Sequence, residues 1–119
     1  MAYTTIDNPE LYFQTVLYTG DSSDDNAITF DGDEDMQPDL VWAKGRGNVY
    51  NYVADSVRGV TKRLNPDTSI AETTTTDTVA SFDSDGFTLD DDATNNWINY
   101  NGTSYVAWCW KAGGSASSN

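Results

Sequence analysis

The chain has 119 residues, 19 of them acidic and 6 basic, and no histidine, for a formal net charge of −13. A surface this negative repels phosphate backbones and anionic bilayers, so neither nucleic-acid binding nor membrane insertion is expected. Without histidine the chain cannot build a Ser-His-Asp, Cys-His or His–metal arrangement, and its length points to one folding unit.

Hydrophobic residues make up 38% and aromatic residues 13%. A few large rings must carry most of the burial, which suits a thin layered sheet structure better than a thick helical core. The single cysteine, Cys109, excludes an intrachain disulfide and reads as a small buried hydrophobe. Asp7, Pro9 and Glu10 interrupt the start of the chain, so no secretory signal is expected, and no apolar run reaches membrane-spanning length.

In chain order, residues 1–10 read as a polar arm, 11–112 as the folded domain and 113–119 as a Gly/Ser tail or linker start. Leu11 to Tyr18, aromatic and β-branched, predicts the first strand, and a turn-rich acidic loop follows it. Ala27 to Asp31 predicts a second strand, and a further acidic loop closes at Pro38. Leu40 to Lys44 and Val49 to Asp55 flank Gly45-Arg46-Gly47-Asn48 and predict a hairpin. Val60, Lys62 and Leu64 alternate as on an edge strand, where Lys62 would protect the edge. The four threonines from Thr73 to Thr76 read as exposed strand or loop. Val79 to Phe82 and Phe87 to Leu89 are two short strands joined by Asp83-Ser84-Asp85-Gly86. Trp97 to Tyr100 and Thr103 to Val106 flank Asn101-Gly102, the pattern of a type I′ hairpin. The longest apolar run, Tyr105 to Trp110, predicts a central strand covered on both faces. Tyr105, Ala107 and Cys109 would point one way and Val106, Trp108 and Trp110 the other. No segment keeps a 3.6-residue period. The fold expected is all-β, an antiparallel two-sheet β-sandwich of jelly-roll type with little helix.

Five stretches occur in a fixed order: Tyr18-Thr19-Gly20, Gln37 to Lys44, Asp55 to Gly59, Ser81 to Phe87, and Tyr105 to Gly113. Together they resemble an uncharacterised domain family that recurs, often in tandem, in tail-fibre-like and other structural proteins of marine tailed bacteriophages. The resemblance spans roughly Leu11 to Gly113 and implies a concanavalin-like jelly-roll sandwich. It also implies virion structure or host attachment rather than chemistry, and brings no catalytic residues with it. The implied partners are other virion proteins, further copies of the chain, with a trimer as one option, and a host-surface glycan. The implied location is the phage particle, on its tail or surface, with capsid decoration as the alternative to a tail-fibre or appendage module.

Four groups of side chains invite chemistry or binding. Paired carboxylates are the remaining catalytic option, but among 19 acids some pair will stand close by chance, so no enzyme activity is expected. Asp83 and Asp85, and the Asp90–Asp92 run, are the cation candidates, with calcium the matching ion. Asp83–Gly86 lacks the spacing of an EF-hand and reads more simply as a turn, so no cofactor is assigned. Asn95, Asn96, Trp97, Asn99 and Tyr100 combine amides with aromatic rings, as a sugar site does, and would make the chain a carbohydrate-binding module. The plainer reading puts Trp97 in the core and the amides in turns. Finally, Lys44, Arg46, Arg58, Lys62 and Arg63 fall in a span whose only acid is Asp55, with ten acids before it and eight after. On the surface they would form a basic band for docking an acidic partner; the alternative is pairing with the chain's own acidic loops.

Overall fold

In the computed structural model, residues 7–47, 49–92 and 97–112 are described. Among them there is no α-helix: a single 3₁₀ turn (Pro9–Leu11) precedes nine strands. These are β1 (Phe13–Thr19), β2 (Asn26–Thr29), β3 (Leu40–Gly45), β4 (Asn51–Asp55), β5 (Lys62–Arg63), β6 (Thr73–Thr74), β7 (Val79–Asp83), β8 (Gly86–Leu89) and β9 (Ser104–Trp110). The all-β, antiparallel expectation holds. The larger sheet has the order β1-β9-β3-β4, the smaller β2-β8-β7, and β5 and β6 form a two-stranded ribbon. The ribbon joins the larger sheet through a bridge between Val53 and Leu64.

β9 is central, as its apolar run requires. It pairs with β1 on one side and β3 on the other, bringing together strands nearly a hundred residues apart. Its alternation is also as expected: Tyr105, Ala107 and Cys109 are buried. Ala107 and Cys109 join Val16, Val41, Ala43, Tyr52 and Ala54 of the same sheet, and Ile28, Val79, Phe87 and Leu89 of the smaller sheet, in one core. Tyr18 links the layers, stacked on Tyr105 with ring centroids 5.1 Å apart and set edge-on to Phe87 at 6.1 Å. The Tyr52 hydroxyl meets Thr78 Oγ1 at 2.7 Å. Burial pushes the Cys109 thiol up to about 12, which keeps it protonated and unreactive.

Two expectations need correcting. Trp97 to Tyr100 is not a strand, and the type I′ hairpin does not form. The backbone N–H groups of Ile98 and Asn99 instead donate to the Asp92 carboxylate, at 2.7 and 3.0 Å. The chain still reverses at Asn101-Gly102, where Thr103 N–H bonds the Tyr100 carbonyl at 3.1 Å. Only Gly102 takes a positive φ, +78°, which is type II geometry. The second correction concerns β9, which among the described residues is fully covered on one face only; Val106, Trp108 and Trp110 are half-buried. The arm residues 1–6, Asn48 of the β3–β4 reversal and the Gly/Ser tail lie outside the described residues.

The β7–β8 turn forms at Asp83–Gly86, as its sequence predicts. Gly86 has φ +135°, and a Cβ there would overlap the Ile28 carbonyl oxygen of β2. Gly86→Ala is therefore expected to cost about 3 kcal/mol or more, through strain and a broken β2–β8 register. A urea melt checks this; an unchanged midpoint would contradict it.

Candidate docking face

The period of two along each strand sorts the larger sheet into a buried face and an outer face. On the outer face the register lines up cross-strand rows. One is Phe13, Trp110, Leu40, Asp55; the next is Thr15, Trp108, Trp42, Val53; the third is Leu17, Val106, Lys44, Asn51. Most of these residues are apolar, yet Leu17 is 80% exposed, Trp42 38% and Phe13 37%. Trp42 and Trp108 pack edge to face at 5.9 Å, and Phe13 leans on Trp110 at 5.1 Å. A water-facing sheet surface normally alternates to polar residues, and this one carries mostly apolar side chains instead.

At the Thr19–Ser104 end the face opens into a groove of about 720 Å³, lined by Leu17, Val106 and Trp108 with Lys44 and Arg46 at its lip. Neither cation makes an ion pair with a described residue; the Lys44 ammonium reaches only the Gly45 carbonyl, at 3.5 Å. The other three basic candidates are engaged elsewhere. Arg58 bridges Asp55 at 2.9 Å and Glu72 at 2.6 Å. Lys62 donates to Thr74 Oγ1 at 2.6 Å. Arg63 lies over the Trp97 ring, 3.7 Å from its centroid, and donates to Asn65. The basic span therefore divides: Lys44 and Arg46 face the groove, while Arg58, Lys62 and Arg63 pin the β5–β6 ribbon.

The amide and aromatic candidates do not converge on an open surface. Trp97 is held between Arg63 and Tyr50, whose ring lies 4.5 Å away. Asn99 is fully buried and Tyr100 is exposed. Asn95 and Asn96 lie outside the described residues. The Asn99 side chain ties three loops: it accepts from Asp21 N–H (3.1 Å) and Asn26 Nδ2 (2.8 Å), and donates to the carbonyls of Ser23 (3.1 Å) and Asp90 (2.9 Å).

Asp83 and Asp85 serve as internal acceptors. Asp83 takes bonds from Ser81 and Thr88, both 2.6 Å, and Asp85 takes one from Met36 N–H at 3.2 Å. The acids that do converge are Asp24, Asp90 and Asp91, with carboxylate oxygens within 4.8 Å of one another. The Asp90–Asp92 run is visible in sequence; Asp24, 66 residues away, joins it only through β2–β8 pairing. A hydrogen bond with Asp90, followed by weaker contributions from burial and neighbouring charge, raises the Asp24 carboxyl.

Asp92 turns inward and is fully buried, with Oδ1 unpartnered among the described residues. Burial raises its carboxyl above the ordinary 3.8, against the opposing pull of the backbone N–H groups of Asn99 and Ile98. The folded chain thus holds this proton more tightly than the unfolded chain. Its contribution to stability is full below the unfolded pKa and is lost as pH rises through the folded one. Asp92→Asn should flatten that part of the profile. Urea midpoints of both proteins from neutral pH down to about 4 test this, and parallel curves would contradict it.

No curated protein and no solved structure matches the chain. Residues 8–119 match the family model described as Domain of unknown function (DUF7483). That match takes in every strand of the larger sheet and both ends of its open face, and the chain belongs to this family.

Proposed function

We propose that the chain is a non-catalytic structural or adhesion module of a tailed-phage particle, built on a jelly-roll, concanavalin-like β-sandwich. Within the particle it acts as a tail-fibre or appendage module in host attachment. The observation that carries this reading is the apolar outer face of the larger sheet, a broad, rigid surface suited to contact. The described side chains facing it include three tryptophans, a phenylalanine, leucines, valines and a lysine, and no nucleophile–base pair. The five stretches that resemble phage structural proteins fall on its framework. They include β3, the β7–β8 turn and β9, the elements that set the register of both sheets.

Its partners would be other virion proteins and further copies of the chain, with a host glycan as the target of the assembled appendage. Decoration of the head surface uses the same kind of contact, and location separates the two. Gold-labelled antibody against the chain, imaged on whole particles, should mark fibres or appendages. Label on the head alone would replace the fibre assignment with decoration, and purified particles without label would end the virion assignment.

A further inference from the structure

Strands covered on both sides carry apolar residues in both registers, whereas strands with one wet face alternate to polar ones. β9 and β3 carry apolar side chains at both parities, yet among the described residues the larger sheet is covered on one side only. We propose that the outer face of this sheet is the interface of a two-fold dimer, in which a second copy of the chain packs sheet against sheet. This inference is independent of the virion reading, because it needs only the sheet and its register.

The register makes the face complementary to itself. Consider a two-fold axis lying in the interface along the Thr15–Trp108–Trp42–Val53 row. It lays the Leu17–Val106–Lys44 row of each copy over the Phe13–Trp110–Leu40–Asp55 row of the other. Leu17 then meets Phe13, Val106 meets Trp110, and the tryptophans of the central row meet their equivalents. Lys44 falls on Leu40, one strand over from Asp55, which Asn51 covers. Arg46, a row further out, reaches the end of the sheet where Asp39 N–H bonds the Trp110 carbonyl. The two cations with no acid of their own thus face the acidic end of the second copy, and the contact is made twice.

Area agrees with this. Four strands about 4.8 Å apart and up to seven residues long give a face of about 19 by 24 Å, so two copies bury on the order of 1,000 Å², enough for a specific interface. Other occupants fit less well. The Trp42–Trp108 planes meet at 69° and the Phe13–Trp110 planes at 50°, so these rings offer no common flat surface to a sugar chain. An anionic membrane is repelled by the net charge of −13.

Sedimentation velocity of the whole chain across a dilution series tests the proposal. The wild type should show a monomer–dimer equilibrium. Leu17→Asp, at a side chain already 80% exposed, should keep the folded circular-dichroism spectrum and weaken the dimer at least about tenfold. Lys44→Glu should weaken it as well. Ile70→Asp, at another exposed side chain but in the β5–β6 loop, should leave it unchanged. A chain that stays monomeric at every concentration would overturn the proposal, as would a dimer indifferent to Leu17→Asp. A monomer that binds a foreign strand or glycan at this face would equally overturn the assignment of a second copy.

Discussion

Asn99→Leu is expected to remove a large share of the chain's stability. The amide is fully buried and makes four hydrogen bonds, joining the loop after β1, the start of β2 and the segment after β8. Leucine keeps the branched shape, at a larger volume, and removes every bond, leaving two donors and two carbonyls without their partner. Each costs about 1–3 kcal/mol when stranded away from water, so a total of about 4 kcal/mol or more is expected, against a whole-domain stability of roughly 5–15 kcal/mol. Urea unfolding measures it. A loss below about 1 kcal/mol would show that the loops hold without this hub.

Phe87→Ala is expected to cost about 3–5 kcal/mol, and Trp108→Ala only about 1–2 kcal/mol, although tryptophan is the larger side chain. Phe87 is fully buried between the layers, edge-on to Tyr18, and its loss leaves a cavity. Trp108 lies on the outer face, where water already reaches it and fills the space it vacates. The ordering separates two accounts of the core. If the β9 tryptophans organised the interior, Trp108→Ala would cost more than Phe87→Ala. The structure puts the interior under Tyr52, Tyr105, Phe87, Met36 and Leu89.

The strands of the larger sheet are legible in the sequence because local alternation and turn residues set them. Gly45 to Gly47 reverses β3 into β4, and the unbroken run at Tyr105 makes β9 central. Alternation misleads at Trp97 to Tyr100, where the backbone donors turn to a buried carboxylate supplied by Asp92. Nothing local distinguishes such an acid from its neighbours Asp90, half-buried, and Asp91, exposed. The candidate sites were harder to read for the same reason. Trp97 and Arg63 stand 34 residues apart and meet only because the ribbon folds back beside β4. Apolar residues at both parities of β9 predict cover on both faces, but the sequence alone does not show that the Val106, Trp108 and Trp110 side is only half-buried.

Everything turns on that open face being the working surface of the molecule. Hydroxyl-radical footprinting of the associated chain, compared with the dilute monomer, tests this directly. Trp42 and Trp108 should lose reactivity on association, while Tyr100, 39% exposed at the loop end, keeps its own. Protection of Tyr100 with Trp42 and Trp108 still fully reactive would place the contact on the loops and contradict the account.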